Sequence, residues 1–183
     1  QPFFSTTVFP WAARPLHARY GHVDEPRAAG GLKVAFYPGC MGDKMYVDMA
    51  EACLKALRHH KVAVYMPRGL ACCGIPALSS GDARGMVAQM KISLELLEQG
   101  SFDYLVTPCG SCTATIREYW PMYADRLGAG MKRLADDLAA KTMDINQFLV
   151  DVLRVEAAVP SEDAVTITYH DPCHLKKALG VSA

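Results

Sequence analysis

Lys33-Val34-Ala35-Phe36-Tyr37-Pro38-Gly39-Cys40 is a short run of strand-favouring residues, closed by a Pro-Gly turn and a thiol. The same order returns twice. Lys61-Val62-Ala63-Val64-Tyr65-Met66 ends at Pro67 and leads to Ala71-Cys72-Cys73-Gly74-Ile75-Pro76, and Asp103-Tyr104-Leu105-Val106-Thr107 ends at Pro108 and leads to Cys109-Gly110-Ser111-Cys112. Helical periods separate the three runs. From about 43 to 60 a stripe of Met45, Met49, Ala52, Cys53, Ala56 and Leu57 predicts one buried helix face. A second helix, capped by Ser80 or Asp82 and stopped at Gly100, presents Ala83, Met86, Val87, Met90, Leu94 and Leu97. Beyond Ser111 a short helix is expected to give out at Pro121, followed by helices over about 131–141 and 145–154, the last with Asp144 and Gln147 at capping-box spacing. A fourth strand is predicted over 165–169, ended by His170-Asp171-Pro172-Cys173-His174.

Strands alternating with helices imply an α/β, Rossmann-like fold: a mostly parallel sheet of about four strands flanked by helices. Such sheets bind ligands outside the carboxyl ends of their strands. Cys40, Cys72, Cys73, Cys109, Cys112 and Cys173 all follow such ends, so six of the seven cysteines fall on the functional edge. Cys53 lies on a helix stripe and reads as a small core residue.

The 183 residues carry 19 basic and 19 acidic side chains, a balance without the basic excess that nucleic acid demands. No apolar stretch approaches the roughly 20 residues that span a bilayer. An odd cysteine count without a secretory signal favours a reducing compartment, the cytoplasm, and metal or redox use of the thiols. Residues 1–32, with Pro10, Pro15, Pro26 and the pair Gly30-Gly31, read as a linker or an arm packing on another domain. With Gln1 in first place, the natural N-terminus is expected to lie upstream.

Adjacent cysteines make a strained disulfide, so Cys72-Cys73 is better suited to binding something together. Soft thiolates select zinc, Cu(I) or iron–sulfur clusters. One zinc ion is satisfied by four ligands, which leaves a fifth thiol surplus. A polynuclear iron–sulfur cluster can use five, because several irons need terminal ligands and a thiolate can bridge. Backbone N–H groups at the following helix starts would offset the charge. Taken alone, Cys109-Gly110-Ser111-Cys112 would suit a thioredoxin-like dithiol; His170 and His174 would suit either a metal or a structural hydrogen bond. No paired carboxylates, catalytic triad, phosphate loop or flavin fingerprint is present.

The pattern of Cys40, Cys72-Cys73-Gly74 and Cys109-x-x-Cys112 resembles the cysteine-rich CCG domain found in heterodisulfide reductase and in the iron–sulfur subunits of glycolate- and lactate-oxidising complexes. The resemblance covers residues 33 to 183. It implies a first CCG domain over 33–160. The stretch 161–183, with its Tyr169-His170-Asp171-Pro172-Cys173 echo of Tyr37-Pro38-Gly39-Cys40, would then hold the last strand and the truncated start of a second copy. By the same resemblance, Cys40, Cys72, Cys73, Cys109 and Cys112 would hold a [4Fe-4S] cluster of non-cubane type. Zinc, or an empty site in this stretch of chain, are the alternatives. Cys173 would be a ligand only in a complete second copy. The implied role is electron transfer in an oxidoreductase acting on a 2-hydroxy acid. Substrate chemistry would sit on a partner flavin subunit, with other iron–sulfur subunits or domains completing the path, in the cytoplasm or at the inner membrane face. Thiol–disulfide chemistry at the cluster, as in heterodisulfide reductase, and a structural zinc module are the competing functions.

Overall fold

The structure, a computed structural model, describes residues 11–156, 166, 168–170 and 172–181. Among these, five strands form one sheet in the order β1-β3-β2-β4-β5: β1 (Val23–Asp24), β2 (Lys33–Phe36), β3 (Ala63–Met66), β4 (Tyr104–Thr107) and β5 (Thr142–Asp144). The last four are mutually parallel, and β1 runs antiparallel along the edge of β3. The α-helices are α1 (Leu16–Tyr20), α2 (Gly39–Lys44), α3 (Val47–His59), α4 (Ile75–Ser79), α5 (Ala83–Leu97), α6 (Gly110–Ala114), α7 (Trp120–Tyr123), α8 (Ala129–Ala140) and α9 (Ile145–Gln147), with π-helical turns at Thr115–Tyr119, Phe148–Val152 and His174–Ala178 and a 3-10 turn at Ala124–Leu127.

Alternate strand residues serve opposite faces. Ala35, Tyr37, Tyr65 and Leu105 join Met86, Met90, Leu94 and Leu97 of α5 and Ala135 and Leu138 of α8 in one core. Val34, Phe36, Val64, Met66 and Val106 join Ala50, Leu54 and Leu57 of α3 and Leu16 of α1 in the other. Both faces are covered, so the central strands β2, β3 and β4 are mostly apolar, with polar residues at the ends of β2 and β4. The chain leaves β2 for β3 over one face and returns past it to β4 over the other. The topological switch therefore lies between β2 and β4, where open α/β sheets bind their ligands.

Several expectations need correction. The fourth parallel strand is Thr142–Asp144, which pairs Leu105 with Thr142 and Thr107 with Asp144. Three residues between two helices are too few for a strand period to stand out, and only pairing with β4 makes them a strand. The strand expected over 165–169 falls partly outside the described residues, and Thr166, Thr168 and Tyr169 are not in a strand. The helix expected from 43 to 60 is two helices that break at Met45-Tyr46, and the break turns the buried face to Val47, Ala50, Leu54 and Leu57, leaving Met49 exposed. Pro121 does not end a helix: it sits in the first turn of α7, where its missing N–H costs nothing. The described part of the arm packs on this domain itself, with Leu16 fully buried and β1 extending the sheet.

Candidate functional site

Three strand-to-helix junctions deliver the thiols. Cys40 sits in the first turn of α2 after β2, Cys72 and Cys73 lie in the loop between β3 and α4, and Cys109 and Cys112 bracket the start of α6 after β4. Together they line a cavity of about 210 Å³ with Pro38, Met41, Ile75 and Ser111. The thiols form a continuous chain. The sulfurs of Cys40 and Cys72 are 3.4 Å apart, and side-chain interactions link Cys72 to Cys73, Cys73 to Cys112 and Cys112 to Cys109. Cys73 and Cys112 are 1% and 4% exposed, whereas Cys40, Cys72 and Cys109 are half-buried at the rim.

Such crowding sets the protonation pattern. The hydrogen bond shared by the Cys40 and Cys72 sulfurs pulls the Cys72 thiol far below its ordinary value and pushes Cys40 up. Cys109 is held down to about 6, first by the Cys112 thiol and then by the backbone N–H groups of Cys112 and Ser111. Cys112 is pushed well up by the thiols on either side of it and by burial. Backbone N–H groups also reach the other sulfurs, from Met41 to Cys40, Gly74 and Cys73 to Cys72, and Ile75 to Cys73. Five thiols this close cannot all ionise unaided, because each thiolate raises the next. A multiply charged metal group would remove that obstacle.

The Cys72-Cys73 loop is held from behind. The Tyr37 hydroxyl donates to the Ala71 carbonyl at 2.5 Å, and the indole N–H of fully buried Trp120 donates to the Cys73 carbonyl at 2.9 Å. The two rings meet edge-on with centroids 6.1 Å apart. Gly74 turns the chain into α4 at φ +93°, a conformation costly for any residue with a Cβ. Gly39, at φ +68°, leaves room for the Cys112 sulfur, which an added Cβ would approach to 2.9 Å.

The arrangement brings together all five sequence-predicted thiols and leaves two apart. Cys53 packs beside the core on the α3 side of the sheet, and burial and the Asp144 carboxylate push its thiol up to about 11. Cys173 is exposed. His174 makes a hydrogen bond, 2.7 Å from its Nδ1 to the Ser111 hydroxyl, and His170 is exposed. Among the described residues no three histidines, cysteines or acidic groups gather around the position of a single metal ion. The donors instead form a row of soft sulfurs around a cavity, interleaved with N–H groups, which suits a polynuclear thiolate-bound group. Tyr37 and Trp120 were not legible as site residues, since their contacts with the cysteine loop are long-range; the only hint was a buried-type aromatic next to a thiol junction.

A family model described as a cysteine-rich domain, CCG, matches residues 34–117. The chain is similar to lactate utilization protein A of Geobacillus thermodenitrificans (strain NG80-2), 35% identical over 152 residues that make up 81% of this chain and 60% of that protein. It is 33% identical over 150 residues to lactate utilization protein A of Exiguobacterium sp. (strain ATCC BAA-1283 / AT1b), covering 82% of this chain and 60% of the relative. A component of the fumarate reductase (CoM/CoB) of Methanothermobacter marburgensis is 29% identical over 170 residues, 90% of this chain and 30% of that relative. The chain thus spans about 60% of the length of the lactate utilization relatives. No solved structure matches.

Proposed function

We propose, from the match of residues 34–117 to the cysteine-rich CCG family model, that this chain is the electron-transferring iron–sulfur part of a system oxidising a 2-hydroxy acid. Lactate is the favoured substrate, from the names of the relatives, with glycolate the other member of the class. Cys40, Cys72, Cys73, Cys109 and Cys112 are the proposed ligands of a [4Fe-4S] cluster, of the non-cubane type that the resemblance to heterodisulfide reductase implies. The cluster, when bound, accepts and returns an electron. The chain's own residues hold and tune it: backbone N–H groups aimed at sulfur make reduction easier, and the Tyr37 and Trp120 hydrogen bonds fix the paired cysteines.

Hydride or proton chemistry on the hydroxy acid is assigned to a flavin-bearing partner, and onward transfer to further iron–sulfur centres. No helix among the described residues is long and apolar enough to cross a membrane. We place the protein in the cytoplasm, meeting its acceptor at the inner membrane face, and take 161–183 as the opening of a second copy of the domain.

The observation that carries this reading is the unbroken row of five thiols at the switch point. It is tested by iron, acid-labile sulfide and zinc per chain on protein purified without oxygen, beside Cys73→Ser. About four irons and four sulfides, falling in the variant, support the cluster. About one zinc with no sulfide, and unfolding on chelation, would replace it with a structural site.

A second reading has its own observation. Cys40 and Cys72 stand half-exposed at the cavity rim, open to a disulfide substrate, and one relative carries the name of a CoM/CoB fumarate reductase. A disulfide that alters the EPR spectrum of the oxidised cluster would favour thiol–disulfide chemistry there; a spectrum unmoved by disulfides and moved by the hydroxy-acid partner would favour simple electron transfer.

A further inference from the structure

The stretch 172–181 is tied to the site by two consecutive residues. It folds on itself through Lys176 N–H to Pro172 carbonyl, Leu179 N–H to His174 carbonyl and Val181 N–H to Leu175 carbonyl bonds. It then lies on α6. Leu175, 7% exposed, fills the space above Gly110, where an added Cβ would come within 2.6 Å of the Leu175 Cγ. Its neighbour His174 holds the Ser111 hydroxyl at 2.7 Å. Gly110 and Ser111 are the two residues between Cys109 and Cys112. The backbone N–H of Ser111 is one of the donors to the Cys109 sulfur, and its carbonyl accepts from the Thr115 hydroxyl at 2.6 Å.

Two adjacent side chains of one segment therefore grip the two residues that separate a pair of thiols. We infer that His174 and Leu175 are positioning residues for the Cys109–Cys112 turn. Leu175 sets its height above β4, and His174 sets the rotation of Ser111, hence the direction of the amide that faces the Cys109 sulfur. The segment after the domain is part of what gives the site its geometry, although it contributes no atom to the cavity wall. The inference deepens the proposed function and rests on the reading of Cys109 and Cys112 as ligands, but its test does not need a metal.

The experiment is alkylation of the metal-free, reduced protein with iodoacetamide at fixed pH, with the rate at Cys109 followed by peptide mass spectrometry. Labelling of a half-buried thiol reports local opening of its turn. Loss of one hydrogen bond in His174→Ala should speed labelling roughly three- to tenfold, and Leu175→Ala should speed it at least as much. His174→Asn, whose amide can reach the same hydroxyl, should restore a rate near that of the unaltered chain. Lys177→Ala, on the exposed side of the same segment, should change nothing. Cys53, across the sheet, is the internal standard. Unchanged labelling of Cys109 in both variants, or a rise matched at Cys53, would overturn the inference. A rise in Leu175→Ala alone would remove His174 from the role. Because no metal is present in this assay, its failure is separate from a negative iron and sulfide analysis.

Discussion

Gly74→Ala isolates the two demands made on the third residue of Cys72-Cys73-Gly74. The first is conformational: at φ +93° a residue with a Cβ costs about 1–2 kcal/mol. The second is space. The new Cβ would stand 2.7 Å from Cγ, 3.1 Å from Cα and 3.2 Å from the carbonyl oxygen of Met86, a fully buried residue of α5. Two of those atoms are backbone, so α5 itself must shift, and overpacking of this kind costs about 1–3 kcal/mol. The sum is a loss of roughly 2–5 kcal/mol. Gly81→Ala is the matched control, because Gly81 has φ +83° with nothing within 4 Å of its added Cβ, and only the first cost applies. The stiffening of the unfolded chain by alanine is common to both and cancels in the comparison. Urea unfolding of the metal-free chain, followed by circular dichroism, should show Gly74→Ala falling below Gly81→Ala by about 1–3 kcal/mol at unchanged m-value. Equal losses would refute the claim that the cysteine loop is wedged against α5.

Other outcomes follow from the same contacts. Trp120→Phe leaves the Cys73 carbonyl without its donor, and should cost about 1–3 kcal/mol in the same unfolding assay while raising the alkylation rate of Cys73. Asp43, nearly buried, accepts from the His17 backbone N–H, lies 2.8 Å from the His17 Nδ1 and pairs with Lys44. Burial alone would raise its pKa, but these partners more than reverse it and leave it below the ordinary carboxylate value. A depressed folded value means stabilisation present above the unfolded value and lost as pH falls through the folded one. Asp43→Asn should therefore be less stable by about 1–3 kcal/mol at neutral pH, with the difference from the unaltered chain closing below about pH 4.

What could be read in advance was whatever is local. The strands at 33–36, 63–66 and 104–107 stood out because each is a compact β-branched and aromatic run ended by proline. The α5 stripe was equally plain, and Asp82 caps it through the Gly85 N–H at 2.8 Å. The five thiols were legible as a set because the α/β pattern alone sends all three junctions to one edge. The α3 face was misread because one break at Met45-Tyr46 rotates every later position. Strand β5 escaped notice because its residues become a strand only by pairing with β4. The grip of Tyr37 on Ala71, of Trp120 on Cys73 and of His174 on Ser111 spans 34, 47 and 63 positions, and no local pattern announces a bond of that kind.

The wide sequence spacing of the thiols also bears on how this protein is made. Cys40 and Cys72 are 32 positions apart yet their sulfurs touch, so the pocket cannot exist until β2, β3 and β4 have paired. A newly synthesised chain then offers a maturation apparatus nothing to load until its slow, non-local contacts are complete. The proposed cluster, once bound, would lower the population of every state in which any one junction has opened. On the proposed reading, metal content in the cell would measure the fraction of chains that finished folding, and a destabilising substitution far from the sulfurs would surface first as lost metal.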